Sequence, residues 1–370
     1  MSAFIQSPSD SSGTPGGTHP GSMTLSPKSK RLLGNCAVLL GALLATLLLL
    51  EIGFRLWAHR KARRADPVVR MGAIVRPSAD PALVYEYIPG PPHCNATGMR
   101  APELAVEKPP HTIRIAGLGD SVMAGDFYRI DQLFMNVLGR LLNEAATPPV
   151  RFETLNFAVG GYNTAQEAIV LKRKALAYAP DLVLLGVVIN DCERPVYYQA
   201  PDGRGGVTLR DRYQDEKRRP FSDGLDLAAP PWWSGSVLVR WLHFRLTQKR
   251  RFFEGIDYFR THFRDIAATC RARGVPLLAV LLTEEVEVGK PDPRAAWHAI
   301  VREAARQENV LLFETFPAIQ KRLAAAGIAS YRRYWSSPQD PHPNADGHRL
   351  IAELLFEDLK EMHALALGPL

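Results

Sequence analysis

The feature that most constrains the fold is a short apolar run between Asp181 and Ile189, which reads Leu-Val-Leu-Leu-Gly-Val-Val inside those ends. An unbroken aliphatic run of this length is typical of a parallel strand buried on both faces. Similar runs predict four further strands, at Thr112–Leu118, Phe152–Val159, Val275–Leu282 and Val310–Thr315. Helical spacing predicts helices over 132–145, 164–178, 236–273, 293–307 and 345–362. This alternation predicts an α/β fold with a doubly wound parallel sheet.

A second apolar run extends from Leu32 to Leu50 and is interrupted only by Asn35 and Thr46. At 1.5 Å per residue it is roughly 28 Å long, which matches the hydrocarbon core of a bilayer. Lys and Arg flank both ends, whereas a cleaved signal peptide has a shorter apolar region and a small-residue cleavage site. We therefore expect one transmembrane anchor over residues 32–57, and a buried core helix is the weaker alternative.

The composition on either side of the anchor predicts how the rest of the chain is divided into a tail, a linker and a globular domain. Residues 1–31 are rich in Ser, Gly, Pro and Thr, which predicts a disordered tail. Residues 58–110 are basic and rich in proline, which predicts a linker, and the globular domain is expected over 111–365. Within that domain, residues 197–235 lack a clear period and predict an insertion. We expect it to cover the ligand edge as a lid, with Trp232, Trp233 and the Arg-rich stretch 210–219 near a sugar or an anion; a solvated loop is the alternative.

The net charge of +7 belongs mainly to the region of the anchor. Residues 1–64 contain eight Lys and Arg against Asp10 and Glu51, so the other 306 residues are close to neutral. A nucleic-acid-binding domain usually has a basic face of its own, and we exclude that class of partner. The four cysteines show no Cys-x-x-Cys or Cys/His spacing, so we expect no metal site.

The residues that could carry chemistry follow the predicted strands, where ligands bind in such sheets. Directly after the first strand stands Gly117-Leu-Gly-Asp-Ser-Val-Met-Ala-Gly125. Val122 replaces the third glycine of a dinucleotide fingerprint, and Met123 replaces the glycine of a GxSxG nucleophile elbow. What remains is Ser121 at a strand-to-helix turn, and this segment alone is better explained by a helix N-cap serine.

Three further polar segments lie at strand or loop ends, two of them after predicted strands and the third before the last predicted helix. They are Asn156-Phe-Ala-Val-Gly-Gly-Tyr-Asn163, Val188-Ile-Asn-Asp191 and Asp340-Pro-His-Pro-Asn344. In the first segment, paired glycines let backbone N–H groups approach a ligand. In the second, an Asn side chain can donate a hydrogen bond into the crevice. In the third, an Asp near a His can fix the tautomer of the imidazole. Each segment alone is also compatible with an ordinary turn or cap. Together they provide the groups required for acyl transfer.

This set of motifs resembles the blocks of the SGNH/GDSL hydrolase superfamily, in particular its membrane-anchored bacterial members. The similar blocks are Gly119-Asp-Ser-Val122, residues 156–161, residues 186–191 and Asp340–His342, and Asn95-Ala-Thr-Gly-Met-Arg100 resembles a segment ahead of the domain in anchored relatives. Three departures stand out: valine replaces the leucine of GDSL, the glycine of GxND lies further upstream, and Asp-x-His is one residue shorter than usual. The resemblance implies a flavodoxin-like three-layer fold.

The resemblance also implies an activity and its residues. The chain would be a serine esterase or deacylase that cleaves an O-acyl ester and needs no cofactor. Ser121 would be the nucleophile, His342 the base and Asp340 the residue that orients it. The Ser121 and Gly161 N–H groups and the Asn190 side chain would form the oxyanion hole, supported by Asp120 and Asp191.

Several alternatives stay open. The same residues would serve an O-acyltransferase of an envelope polysaccharide, and a non-catalytic glycan-binding or scaffold domain is a third possibility. The expected substrate is a small-molecule, glycan or lipid ester. Basic residues are more numerous after the anchor than before it, which predicts a cytoplasmic domain. The resemblance implies an extracytoplasmic one, which we favour; Cys94 and Cys192 could then form a disulfide. We expect His262 and His298 on the helix surface.

Overall fold

The computed structural model describes residues 26–64, 74–222 and 225–361, which form two compact units that divide after Trp57. The first unit consists of most of one helix, α1 (Pro27–Arg64). Its segment Pro27–Arg60 is long and apolar enough to cross a membrane, so the possible span predicted at 32–57 is present as a helix. Most of the tail predicted for 1–31 lies outside the described residues.

The second unit contains eleven strands and eight further helices among the described residues. The strands are β1 (Val75–Pro77), β2 (Tyr85–Tyr87), β3 (Thr112–Leu118), β4 (Arg151–Asn156), β5 (Leu182–Val187), β6 (Tyr197–Pro201), β7 (Val207–Asp211), β8 (Leu277–Leu281), β9 (Leu311–Glu314), β10 (Trp335–Ser337) and β11 (Asp340–Pro343). The helices are α2 (Ser121–Ala124), α3 (Phe134–Ala145), α4 (Thr164–Arg173), α5 (Arg212–Arg218), α6 (Val237–Arg273), α7 (Ala295–Glu308), α8 (Thr315–Ala325) and α9 (Ala345–Glu361). Short 3-10 turns separate several of them.

Five strands form one parallel sheet in the order β4-β3-β5-β8-β9. Numbered within the sheet this is 2-1-3-4-5, the flavodoxin-like order. The direction of winding reverses after β4, so right-handed crossovers place α3 and α4 on opposite faces. Helix α9 packs with α3 and α8 packs with α9, while α6 packs with α4 and α7 packs with α6. The predicted doubly wound, three-layer fold is confirmed.

The centre of the sheet is apolar, with one buried ion pair at its edge. Every residue of β5 and β8 is buried, as their aliphatic runs predict. Arg114 of β3 donates to Glu153 of β4 over 3.0 Å, and both side chains are buried. The remaining Arg114 hydrogens bind backbone carbonyls, three of them in residues 105–107. The pair is therefore fully hydrogen-bonded, and it fixes the preceding segment against the sheet.

The predicted linker has to be corrected from residue 74 onward, where the chain is folded onto the domain. Strands β1 and β2 form an antiparallel hairpin, and Leu83, Tyr85 and Met99 are buried in the main core. Proline removes backbone donors and so prevents long regular elements, but it leaves the neighbouring side chains free to pack. A proline-rich composition therefore indicated an irregular backbone and not an absence of tertiary contacts. Residues 58–64 continue α1, and 65–73 lie outside the described residues.

The predicted insertion over 197–235 begins as the antiparallel hairpin β6–β7, followed by α5. Gln199 of β6 donates through Nε2 to the carbonyls of Ser78 and Val84 over 3.2 and 2.8 Å. This half of the insertion is therefore ordered by contact with the β1–β2 hairpin. A role for the insertion as a lid stays a prediction.

Two side-chain expectations differ from the structure. Cys94 and Cys192 are free thiols, so the disulfide that we considered is not formed. His298 was expected on the surface but is only 1% exposed, and its Nδ1 lies 2.5 Å from Oδ2 of Asp292. The carboxylate partner compensates for the loss of water around the buried imidazole.

Candidate active site

Ser121 is the first residue of the short helix α2, directly after β3. Asp120 caps this helix by accepting the Val122 N–H over 3.0 Å, and Gly125 ends it in the left-handed conformation with φ of 60°. Glycine favours that conformation because it has no Cβ. The tight turn places a half-buried hydroxyl at the C-terminal edge of the sheet.

The Ser121 hydroxyl meets a residue 221 positions further along the chain, because its Oγ lies 2.8 Å from Nε2 of His342. His342 lies on β11, which pairs with β10. Oδ1 of Asp340 lies 2.5 Å from His342 Nδ1 and accepts the His342 backbone N–H over 3.1 Å. A carboxylate at Nδ1 favours the tautomer whose Nε2 can accept the serine proton. The structure thus brings the three predicted catalytic residues together, and the short Asp-x-His spacing is compatible with that arrangement.

Acidic neighbours favour the charged form of His342. Burial lowers the pKa of His342, but the hydrogen bond and charge of Asp340 and the charges of Asp120 and Glu284 raise it to about 9. The hydrogen bond from His342 in turn lowers the pKa of Asp340. At neutral pH the free site therefore holds an imidazolium, and the neutral base forms as the pH approaches 9.

Asn190 lies in a 3-10 turn over Ile189–Cys192, directly after β5. Its Nδ2 donates to Oδ2 of Asp120 over 2.9 Å, and the Ser121 Oγ lies 3.2 Å from the same oxygen. One of the two Nδ2 hydrogens is then left for a ligand. Burial raises the pKa of Asp120, while its hydrogen bonds and the charge of His342 lower it. Asp120 therefore connects the turn that carries Ser121 to the predicted oxyanion donor Asn190.

Gly161 lies in the loop after β4, with φ of 76°. A Cβ at this position would lie 2.5 Å from a methyl group of Val196, so the site requires glycine. The N–H of Val159 donates to the carbonyl of Gly119 over 3.1 Å, which holds this loop next to the Ser121 turn. Within the described residues the Gly161 N–H has no acceptor of its own. It therefore remains available to a ligand, as the prediction requires.

Asp191 is fully buried and binds the backbone of its own loop. It accepts the Val188 N–H over 2.7 Å and the Thr164 hydroxyl over 2.9 Å. Burial and the charge of Asp120 raise the pKa of Asp191 to about 8, and burial and the charge of Asp191 raise the pKa of Glu167. Burial and the repulsion between these two neighbouring carboxyl groups therefore both favour their protonated forms. Asp191 supports the turn that carries Asn190, in agreement with a supporting and not a catalytic position.

Two tyrosines of the N-terminal segment bind the loop that carries Gly161, and the sequence did not predict this role. The Tyr87 hydroxyl accepts the Gly160 N–H over 2.8 Å and donates to Asp126, while the Tyr85 hydroxyl donates to the Gly160 carbonyl over 2.9 Å. The two tyrosines are two positions apart on a strand, so they lie on one face. That spacing was the available signal, but it fell in a segment interpreted as a linker.

Arg100 is a second support that the sequence did not identify as such. Its guanidinium is almost fully buried and donates to the carbonyls of Ala124, Gly125 and Tyr128 over 3.0, 2.6 and 2.7 Å. These carbonyls belong to the turn that begins with Ser121. A planar group with five donors can bind several carbonyls at once, which lysine cannot do in this geometry. Arg100 therefore fixes the end of α2 and, through it, the serine.

Glu284 is a further acidic residue at this edge that the sequence analysis overlooked. It follows β8, and burial raises its pKa while the charge of His342 lowers it. It occupies the same position relative to its strand as Asn190 does relative to β5, so the rule that identified Asn190 would also have identified Glu284.

A protein-family model matches the part of the chain that contains the site. The model of the GDSL-like lipase/acylhydrolase family matches residues 118–350, which include every predicted site residue. No curated protein matches the chain significantly.

Several solved structures are similar at low identity. The acetylxylan esterase Axe2 from Geobacillus stearothermophilus has 15% identity and a TM-score of 0.42, over 67% of this chain and 94% of that one. A two-domain esterase (CEX) active on acetylated mannans has 14% identity and a TM-score of 0.42, over 70% of this chain and 51% of that one. TesA has 14% identity and a TM-score of 0.39, over 67% and 99%.

Proposed function

The chain belongs to the GDSL-like lipase/acylhydrolase family, and from that premise we propose that it is a serine esterase or deacylase that cleaves an O-acyl ester through Ser121, His342 and Asp340. The observation that carries this proposal is the chain of contacts from Asp340 through His342 to the Ser121 hydroxyl, with separations of 2.5 and 2.8 Å. A hydroxyl, an imidazole and an orienting carboxylate in this order are the elements of a nucleophilic triad.

In the first half of the proposed reaction, Ser121 Oγ attacks the carbonyl carbon of the ester while His342 Nε2 takes the serine proton. The carbonyl oxygen becomes an oxyanion, which accepts hydrogen bonds from the Ser121 and Gly161 N–H groups and the Asn190 amide. When the carbon–oxygen bond to the leaving alcohol breaks, His342 returns the proton to that alcohol. The acyl group then remains on Ser121.

In the second half, water replaces the alcohol. His342 takes a proton from water as the water oxygen attacks the acyl carbon, and the same donors stabilise the second oxyanion. The bond to Ser121 Oγ then breaks, the serine recovers its proton from His342, and the free acid departs. Asp340 stabilises the imidazolium that forms in each half without taking the proton itself.

We also propose that α1 anchors the enzyme in a membrane with the catalytic domain on the extracytoplasmic side, where it would meet small-molecule, glycan or lipid esters. The apolar helix Pro27–Arg60 supports the anchor. Protease treatment of intact spheroplasts that contain the full chain tests the side. Cleavage of the domain from outside the cell supports the proposal, and protection by an intact inner membrane would oppose it.

A fluorophosphonate probe tests the nucleophile. We expect Ser121→Ala to abolish labelling and to lower ester hydrolysis by roughly 10⁴-fold or more. The matched control is Ser336→Ala, which removes a hydroxyl bonded to Tyr128 over 3.0 Å near the site and should keep full labelling. Transfer of the acyl group to a glycan in place of free acid release would indicate an acyltransferase. Wild-type protein that neither labels nor hydrolyses esters would favour a non-catalytic binding domain.

A further inference from the structure

The N-terminal half of α6 carries a row of apolar side chains exposed to solvent. Val239, Leu242, Leu246 and Phe253 belong to this row, with Leu246 exposed at 75% and Phe253 at 63%. Intervals of three, four and seven residues place them on one side of the helix. Trp232, just ahead of the helix, is exposed at 94%. Single exposed apolar residues are common, but a row of this extent is typical of an interaction surface.

Cations occupy the same side of the helix. Lys249 and Arg250 lie between Leu246 and Phe253, and both are exposed. Arg250 pairs with Glu254 over 2.6 Å, an exposed i,i+4 contact that competes weakly with another anion. We define the basic-apolar face as the set Val239, Leu242, Leu246, Lys249, Arg250 and Phe253; Trp232 is exposed in the turn that precedes this helix.

The basic-apolar face is separate from the face that α6 packs into the protein. In the C-terminal half of the helix, Ile256, Phe259, Phe263 and Ile266 are buried. At 3.6 residues per turn, this buried row lies roughly 100° around the helix axis from the basic-apolar face. Packing of the domain therefore does not explain why the exposed row is apolar.

We propose that the basic-apolar face binds the surface of an anionic lipid bilayer. At such a surface the apolar side chains enter the boundary of the acyl region, while Lys and Arg extend their charged ends to the phosphate groups. Tryptophan favours the same interfacial depth. The chain also contains α1, which is long and apolar enough to cross a membrane, so a bilayer is a surface that this protein would meet.

The positive charge of the basic-apolar face favours an anionic bilayer over a second copy of the chain as its binding partner. If two copies paired through this face, Lys249 and Arg250 would meet apolar side chains, the same cations, or the single carboxylate of Glu254, which already pairs with Arg250. Like charges in contact oppose association. Anionic headgroups supply the counter-charge that the face requires, at about fivefold in affinity for each cation near the surface.

The test uses the full chain in nanodiscs of phosphatidylglycerol or phosphatidylcholine that contain a nitroxide-labelled lipid. A genetically encoded fluorescent amino acid replaces Leu246 in one sample and the exposed Lys321 of α8 in the control sample. We expect the nitroxide to quench position 246 in phosphatidylglycerol, much less in phosphatidylcholine, and to leave position 321 unquenched in both. Lys249→Gln together with Arg250→Gln should weaken the bound state about 25-fold.

Three outcomes would overturn the proposal. One is equal quenching at 246 and 321, the second is quenching at 246 that does not depend on lipid charge, and the third is energy transfer between position 246 of two copies in lipid-free detergent. Fluorophosphonate labelling of the double Gln variant should remain unchanged. Since the proposed labelling site, Ser121, lies outside the basic-apolar face, failure of the membrane proposal and failure of the proposed esterase are separated.

Discussion

The predicted catalytic residues and the N-terminal segment over 74–110 lie at the same edge of the sheet. They contribute to the candidate site in different ways. Ser121, His342 and Asp340 are joined through their functional groups, as the proposed reaction requires. Tyr87 and Arg100 instead bind the backbone around those groups. We therefore expect changes in the first set to lower turnover with little effect on stability, and changes in the second set to lower both.

Among the variants that distinguish the two sets of residues, Asp340→Asn is expected to have the largest effect on turnover. The amide cannot stabilise an imidazolium and favours the wrong tautomer of His342, so kcat should fall by roughly 10³–10⁴-fold. Asp340 is partly exposed, so the free energy of unfolding should change by less than about 1 kcal/mol. Steady-state kinetics and urea unfolding measure the two quantities. A loss of activity below tenfold would remove Asp340 from the proposed triad.

Asn190→Ala is expected to have the next largest effect. Loss of one oxyanion donor costs about 10²–10³-fold in kcat. Because the amide acts mainly on the transition state, KM should change little and kcat and kcat/KM should fall together. A rise in KM at constant kcat would mean that Asn190 binds the substrate and does not stabilise the oxyanion.

Tyr87→Phe tests the support region, where the comparison predicts a mixed effect. The change leaves the Gly160 N–H and the Asp126 carboxylate without their shared partner, which should cost about 1–3 kcal/mol of unfolding free energy. Displacement of the loop that carries Gly161 should lower kcat by about tenfold. The matched control is Tyr198→Phe on β6, whose buried hydroxyl donates to Asp215 of α5 over 2.6 Å and makes no contact with the Gly160–Gly161 loop among the hydrogen bonds of the described residues. If both variants lose the same activity, the support is general packing and not control of the Gly160–Gly161 loop.

The smallest expected effect concerns pH. The reaction needs neutral His342 in the free enzyme, so kcat/KM should rise with pH and level off above about 9. The negative charge of Glu284 favours the imidazolium, so Glu284→Gln should lower the pKa of His342 and move the acid limb to lower pH. A gain of about two- to fivefold at pH 7, equivalent to about 0.3–0.7 pH units, is expected. The neighbouring Glu285→Gln serves as control, and an unchanged limb in both variants would exclude Glu284 from this role.

The sheet and the site motifs could be predicted from sequence because each depends on a local pattern. The aliphatic runs of β5 and β8 identify buried strands wherever they occur, and a Ser or Asn at a strand end is found from the strand itself. The approach of His342 to Ser121 followed only from the resemblance to a family, because no local pattern encodes a contact across 221 positions.

The support residues could not be predicted for a physical reason. The partners of Tyr85, Tyr87 and Arg100 are mainly backbone groups. Because every residue has a backbone, the sequence of the partner segment does not indicate such a contact. Proline-rich composition concealed the hairpin β1–β2 because it signals irregular backbone alone. Helix α8 was missed because it follows β9 without a turn residue between them. His298 was misplaced because its carboxylate partner Asp292 lies on the preceding loop, outside the helical pattern.

The identity of the nucleophile is the central claim, and trapping of the acyl-enzyme tests it most directly. An activated acetyl ester is mixed with the full chain, the reaction is quenched with acid within the first turnover, and the peptides are sequenced by mass spectrometry. We expect an added acetyl group of about 42 Da on Ser121, which accumulates in the burst phase expected of covalent catalysis and is absent from Ser121→Ala. A burst of alcohol release with the acetyl group on another residue, or turnover that persists in Ser121→Ala, would contradict it.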